Sequence, residues 1–183
     1  MDTALFHLLN TGFTAPPLDW LVYAVSHKAV FAVVGGAIGA AAFIRGTGET
    51  RRMIVALATA VVLSDVAVLI LKDLFARVRP CHALEGVRVL AGCSDSYSLP
   101  SRHTTDMFAI MTFLSLRFRR WAPALLAAAL LVGYSRVYAG AHYPGDVAAG
   151  ALLGAAAALV VDRLDRGVAE GALFKRRRER GEA

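Results

Sequence analysis

The stretch MIVALATAVVLSDVAVLILKDLF, residues 53–75, carries no charged group before its last turn except Asp65. A helix needs roughly 20 predominantly apolar residues to cross the hydrocarbon core of a bilayer, and a run this long has few alternatives in a chain of 183 residues. Similar runs at 18–44, 101–116, 121–138 and 144–164 complete a set of about five expected spans. The first is interrupted by His27 and Lys28, whose lysine is placed to snorkel toward an interface. The opening MDTALFHLLNTGF is too short to span and reads as an amphipathic helix on the membrane surface. With 57% hydrophobic residues and a net charge of +6, and a mean hydropathy of +0.54, the composition excludes an ordinary soluble domain. The expected fold class is an all-α integral membrane helical bundle, about five transmembrane helices plus the N-terminal interfacial helix. The expected organisation is one membrane-embedded domain, 1–166, and a basic tail, 167–183. No small-residue cleavage site follows a short apolar N-terminal segment, so no cleaved signal is expected.

Loops rich in Lys and Arg stay on the cytoplasmic side. Arg45, Arg51 and Arg52 follow the first span, Arg117, Arg119 and Arg120 follow the third, and a basic run follows the fifth. A five-span path with the N-terminus outside puts all of these in the cytoplasm. It leaves Lys28, Lys72, Arg77, Arg79, Arg88, Arg102 and Arg136 on the opposite side. Cations so placed run against the charge rule, which implies that something on that face attracts them. Cys81 and Cys93 lie in the same outer loop, where an oxidising compartment allows a disulfide; two free thiols are the alternative. The tail FKRRRERGEA is expected to contact anionic lipid, with no nucleic acid as partner.

Three polar clusters fall on the outer face. In KDLFARVRP, residues 72–80, Lys72 and Arg79 project from one helix face if the helix continues that far, and Pro80 disfavours helix at Arg79. In PSRH, residues 100–103, Ser101 is an N-cap candidate for the apolar run that follows. The amides of the first turn form an anion site there, with His103 beside it. In SRVYAGAHYPGD, residues 135–146, Pro144 suits a first helical position, which sets His142 and Asp146 within reach of each other and leaves one imidazole nitrogen available as a nucleophile. Arg136 precedes them. Each cluster alone has a plainer explanation: interfacial anchors, a simple cap, a structural His–Asp pair. Together they supply fixed cations, two histidines, a helix N-terminus and an orienting carboxylate, which are the parts of a phosphoryl-transfer site.

These segments resemble the signature of the type 2 phosphatidic acid phosphatase (PAP2) family: Lys-x6-Arg-Pro, Pro-Ser-Gly-His and Ser-Arg-x5-His-x3-Asp. The resemblance implies a six-helix architecture and metal-independent hydrolysis with no cofactor. It implies that His142 attacks phosphorus to form a phosphohistidine, that Asp146 orients it, and that His103 handles the proton of the leaving group. Lys72, Arg79, Arg136 and Ser101, with the amides at Arg102 and His103, would hold the phosphoryl oxygens. Arg102 stands where the family has glycine, and a role toward substrate is expected for it in preference to snorkelling. The implied partner is a membrane lipid phosphate, with undecaprenyl diphosphate first and phosphatidylglycerophosphate, phosphatidic acid and lipid A phosphate as alternatives. The implied setting is the bacterial inner membrane, with the site outside and the C-terminus in the cytoplasm. Phosphotransfer to a lipid acceptor and a noncatalytic lipid-binding scaffold are the other function classes.

Among the remaining features, Asp65 is expected to be structural. The Gly-x-x-x-Gly spacings at 35–39 and 150–154 are expected to serve packing inside the monomer.

Overall fold

The computed structural model describes residues 2–26, 28–90 and 92–179, with side chains at 2–25, 33–90 and 92–171. Among the described residues all regular structure is helical: α1 Asp2–Thr11, α2 Pro16–Ser26, α3 Lys28–Arg45, α4 Gly48–Phe75, α5 Pro80–Ala83, α6 Arg102–Arg117, α7 Ala122–Tyr138 and α8 Pro144–Glu179. A short 3-10 turn, Arg119–Trp121, joins α6 to α7. Gly48–Ala83, Arg119–Tyr138 and Pro144–Gly171 are long and apolar enough to cross a membrane.

Two boundaries differ from the expected spans and one agrees. The run at 18–44 is described as α2, ending at Ser26, and α3, beginning at Lys28. His27 and the Lys28 side chain, expected at an interface, lie outside the described residues. α6, Arg102–Arg117, has the 16 residues expected of the third span, shifted by one. α8 runs without a break through the expected tail boundary at 166 and on to Glu179; the side chains of the basic tail lie outside the described residues.

α6 is the centre of the bundle, packed against α8, α7 and α4, while α4 also meets α8. Small residues make that packing close. A Cβ on Gly154 would lie 2.2 Å from the Thr105 carbonyl oxygen, and one on Gly150 would lie 2.7 Å from that of Ser101, so 150–154 is the face on which α8 meets α6, as expected. The other glycine spacing behaves differently: nothing lies within 4 Å of a Cβ built on Gly35, Gly36 or Gly39, and the expected packing role is not seen there. Ala56, Ala60, Phe113, Ala158 and Val161 form the main buried cluster. Large apolar side chains such as Leu63, Leu69, Ile70, Leu130, Leu152 and Leu164 point outward, as helices facing lipid tails require.

α4, α6, α7 and α8 alternate in direction, so the bundle has two chemically distinct ends. At one end ion pairs tie three helices together: Arg52 to Asp165 at 3.1 Å, Arg117 to Asp162 at 2.7 Å and to Asp165 at 2.6 Å, and Arg166 to Asp162 at 2.8 Å. At the other end meet the C-terminal turns of α4 and α7 and the first turns of α6 and α8. α1 docks beside them. Phe6 is buried with Val137 and Tyr143, and Asn10 donates to the carbonyl oxygens of Arg88 and Tyr138 at 2.9 and 2.8 Å. α1 is thus partly built into the bundle rather than only resting on a surface.

Candidate active site

α4 ends at Phe75 because Ala76 turns left-handed, φ 43° and ψ 34°, with its amide closing on the Lys72 carbonyl. That conformation is uncommon for a residue with a Cβ. It redirects the chain, so the helix does not continue to Arg79 as its spacing from Lys72 suggested. Residues 76–79 run without helical structure until Pro80 opens α5. Lys72 and Arg79 nevertheless reach one cavity of about 480 Å³. His103, Arg102, Arg136 and His142 line it too, with Val68, Leu69 and the loop residues Gly92, Cys93, Ser94 and Ser96. Of the eight expected site residues, Ser101 and Asp146 lie behind this wall; both are fully buried.

The segment that carries Ser94 and Ser96 follows directly on a disulfide between Cys81 and Cys93, the pairing that the outer-loop placement allowed. It presents backbone oxygens to the cations. Lys72 Nζ donates to the Tyr97 carbonyl. Arg79 Nε donates to the Ser96 carbonyl at 2.7 Å, its Nη2 to Ser96 Oγ at 2.9 Å and its Nη1 to the Ala141 carbonyl at 3.0 Å. These carbonyl oxygens are neutral acceptors, so both side chains keep their charge available to the cavity.

His142 is fixed through its backbone. The carbonyl oxygen of Arg136, in the last turn of α7, accepts from the amides of Ala141 and His142 at 3.1 and 3.2 Å. Gly140, at φ +79°, makes the turn; a Cβ there would lie 2.5 Å from the Arg88 carbonyl oxygen. The imidazole is 3% exposed as a residue, and its Nε2 lies 2.9 Å from Arg79 Nη1. A guanidinium can only donate. Nε2 is therefore the acceptor, and in the neutral ring the proton sits on Nδ1, facing Asp146 Oδ2 at 3.5 Å. Burial holds the imidazole pKa down to about 4; the charges of Arg79 and Lys72 push the same way and Asp146 opposes them. The ring is neutral at neutral pH, with an in-plane lone pair beside three cations.

The expected short His142–Asp146 hydrogen bond is not closed at 3.5 Å, because the carboxylate is held by other groups. Asp146 Oδ1 accepts from Arg77 Nη1 at 2.8 Å. Its Oδ2 accepts from the hydroxyl of Ser98 and from the Tyr143 amide at 2.9 Å. Arg77 is one of the outward cations; nothing in the motif spacing marks its link to Asp146, and Ser98 carries no sequence signal at all.

Ser101 holds the N-cap position of α6 but makes no side-chain cap. Its Oγ instead accepts from the Thr104 hydroxyl at 3.0 Å, and its amide donates to the Asp146 carbonyl at 3.0 Å. It joins α6 to the first turn of α8, behind the cavity wall rather than on it. Arg102 departs further from expectation. Its guanidinium is bound in two-pronged fashion to Asp65, Nε to Oδ1 at 2.7 Å and Nη2 to Oδ2 at 2.9 Å. The glycine position of the motif is thus filled by one half of an α4–α6 ion pair at the cavity edge. Asp65 takes the structural part expected of it, with a partner that the sequence did not indicate.

The arrangement combines a neutral imidazole acceptor, a second histidine, and cations from three separate segments around one cavity. It can accept a tetrahedral anion and spread its charge over several donors.

The sequence pattern of the PAP2 superfamily matches residues 53–166. The chain is 36% identical over 115 residues to the bacitracin transport permease protein BcrC of Bacillus licheniformis, covering 63% of this chain and 57% of that protein. It is 35% identical over 103 residues to an undecaprenyl-diphosphatase of Sulfolobus acidocaldarius, covering 56% of this chain and 48% of that one. The chain thus spans about half the length of these curated relatives. Among solved structures, Aquifex aeolicus LpxE superimposes with a TM-score of 0.74 at 31% identity, covering 88% of this chain and 94% of that one. Sequence pattern and helical architecture agree: the chain belongs to the PAP2 superfamily.

Proposed function

We propose that this protein is a membrane lipid phosphatase that removes one phosphate from a lipid phosphate or diphosphate through a phosphohistidine, without a metal ion. The observation that carries the reading is the buried neutral His142, whose Nε2 lone pair is held toward Arg79 on the wall of a cavity shared with Lys72, Arg136 and His103.

In the first step Arg79 Nη1 shifts its hydrogen bond from Nε2 to a nonbridging oxygen, and the freed lone pair attacks the terminal phosphorus. The bond from that phosphorus to the leaving oxygen breaks (the lipid oxygen of a monophosphate, the bridging oxygen of a diphosphate), while His103 donates a proton to that oxygen. Lys72, Arg79 and Arg136 neutralise charge on the nonbridging oxygens, and Asp146 offsets the positive charge that develops on the imidazole. In the second step His103 takes a proton from water as it attacks the phosphohistidine; inorganic phosphate leaves and His142 regains its lone pair. Ser101, buried behind the wall, contributes by fixing the start of α6.

The proposed substrate is undecaprenyl diphosphate, converted to undecaprenyl phosphate. An undecaprenyl-diphosphatase among the relatives supports it, as does the apolar α4 surface of Val68 and Leu69 that borders the cavity. The proposed setting is the bacterial inner membrane. The Arg52 and Arg117 ion pairs lie at the end opposite the cavity, which by the charge rule is the cytoplasmic end, so the cavity opens to the periplasm. The basic tail, 167–183, then meets anionic lipid on the cytoplasmic side.

The test is phosphate release by the purified protein from farnesyl diphosphate, dioctanoyl phosphatidylglycerophosphate and dioctanoyl phosphatidic acid, with and without a chelator and with no acceptor lipid. Release that survives the chelator is expected, fastest from the diphosphate. Abolition by the chelator contradicts the metal-free mechanism, and release that depends on an added acceptor makes the protein a phosphotransferase.

A further inference from the structure

We propose that Asp2, in the first turn of α1, is a positioning residue of the His142–Asp146 site, acting through Arg77 on Asp146 and directly on the Gly145 amide. The inference rests on the phosphatase reading above.

α1 lies outside the residues that match the superfamily, 53–166, yet it reaches the centre of the site in two steps. Arg77 Nη2 donates to Asp2 Oδ2 at 2.6 Å while Nη1 of the same guanidinium donates to Asp146 Oδ1 at 2.8 Å. The guanidinium lies over the Tyr143 ring, 3.9 Å from its centroid. The second oxygen of Asp2 accepts from the Gly145 amide at 2.9 Å. One carboxylate thereby bridges the cation that holds Asp146 and the backbone one residue before it.

The bridge depends on close approach. A Cβ on Gly145 would lie 2.9 Å from Asp2 Oδ2, so glycine at this position leaves room for the carboxylate. α1 is also fixed independently of Asp2. Asn10 donates to the Arg88 and Tyr138 carbonyls and accepts from the Arg88 amide at 2.9 Å, and Phe6 is buried with Tyr143. These contacts set the helix in register with the 141–146 turn, so Asp2 arrives at a defined place.

Charge gives the bridge a chemical consequence. Lys72, Arg79 and Arg136 make the cavity side of His142 positive. The Asp2–Arg77–Asp146 chain carries a net charge of −1 on the other side, toward Nδ1. Attack on phosphorus places positive charge on the imidazole, and that net negative charge stabilises it. Without the Asp2 charge the chain is neutral. Arg77 then has one carboxylate partner instead of two, and Asp146 can pivot about the oxygen that Ser98 and the Tyr143 amide still hold. The effect falls on the chemical step and not on phosphate capture, because no group in the chain faces the phosphoryl oxygens.

The test is steady-state phosphate release by the full chain from farnesyl diphosphate and dioctanoyl phosphatidic acid, with melting temperatures measured alongside. Asp2→Asn is expected to lower kcat about tenfold, by analogy with the loss of an outer hydrogen-bond partner that orients a metal-ligating side chain, with KM within about twofold of the parent. Asp2→Glu is expected to recover most of kcat, because it restores the charge. Should Asp2→Asn not yield folded protein, Gly145→Ala presses on the same carboxylate and is expected to give the same split between kcat and KM. Parental kcat in Asp2→Asn, or a loss shared equally by Asp2→Glu, overturns the inference. A parent that releases no phosphate from either probe, or a His142→Ala protein that still does, overturns the phosphatase reading instead and takes the inference with it.

Discussion

Arg79 donates from Nη1 to His142 Nε2 at 2.9 Å, and this one contact fixes both the tautomer and the aim of the imidazole. The same guanidinium is held by Ser96 and by the Ala141 carbonyl, so it acts as a rigid fork between the 94–98 segment and the proposed nucleophile. A lysine has one ammonium group and no planar fork to serve these partners. Arg79→Lys is therefore expected to retain fold and charge but to lose about 100-fold in kcat/KM, of the order found when a positioned donor to developing negative charge is removed. Activity within a few-fold of the parent would show that charge alone suffices.

His142 titrates at about 4 because burial disfavours its charged form. In the unfolded chain an imidazole takes up its proton near 6.5. Between those values the unfolded chain binds more protons than the folded one, so stability is full above about 6.5 and falls as pH drops toward 4. Nitrogen-15 histidine NMR, with His142 identified by its loss in His142→Gln, is expected to show a ring that stays neutral down to about pH 4. A midpoint near 6.5 would remove the basis for a neutral nucleophile.

Arg102 and Asp65 are held to each other across α6 and α4, with the arginine side chain 47% exposed. Pairs this open contribute on the order of 1 kcal/mol or less. Asp65→Asn and Arg102→Gln are each expected to lower stability slightly, and the double variant less than their sum, a coupling that a double-mutant cycle on melting temperature reads. Each single variant is also expected to change KM more than kcat, because the pair borders the cavity without reaching Nε2. Additive effects would show that the ion pair carries no coupling in the folded protein.

The two glycine spacings make a matched test of packing. Gly154→Ala drives a Cβ to 2.2 Å from the Thr105 carbonyl oxygen and 2.8 Å from the Ala109 amide nitrogen, backbone atoms that cannot turn aside. About 2 kcal/mol of destabilisation is expected from such overpacking, together with lost activity as α8, which carries Asp146, is pushed away from α6, which carries His103. Gly35→Ala meets nothing within 4 Å and is expected to leave the melting temperature within about 1 °C, in keeping with the small effect of surface substitutions. Equal effects at the two positions would contradict the α6–α8 interface.

How far the site was legible in the sequence depended on the distance between the residues concerned. The His142–Asp146 placement follows from one turn and one helix start, so local spacing was enough, although the hydrogen bond expected between them is opened to 3.5 Å by competitors. Lys72 and Arg79 were correctly grouped for a wrong geometric reason, since the left-handed Ala76 ends the helix between them. Arg102 and Asp65 were each conspicuous, but their pairing joins residues 37 apart on two helices, which no periodicity encodes. Asp2 and Gly145 meet across 143 residues, and only the packing of α1 on α7 and α8 brings them together. The bundle itself was readable from its apolar runs. The left-handed turn at Ala76 that ends α4 was not, because hydropathy marks where a helix can lie in a membrane and not where it stops.

The proposed mechanism requires that His142 become covalently phosphorylated. It is tested most directly by rapid acid-free denaturation of the protein during turnover of phosphorus-32-labelled farnesyl diphosphate, followed by mapping of the label. A phosphoramidate is expected that survives alkali, is lost in acid, maps to His142 and is missing from His142→Ala. Phosphate released at full rate by His142→Ala, or label found on another residue, would contradict it.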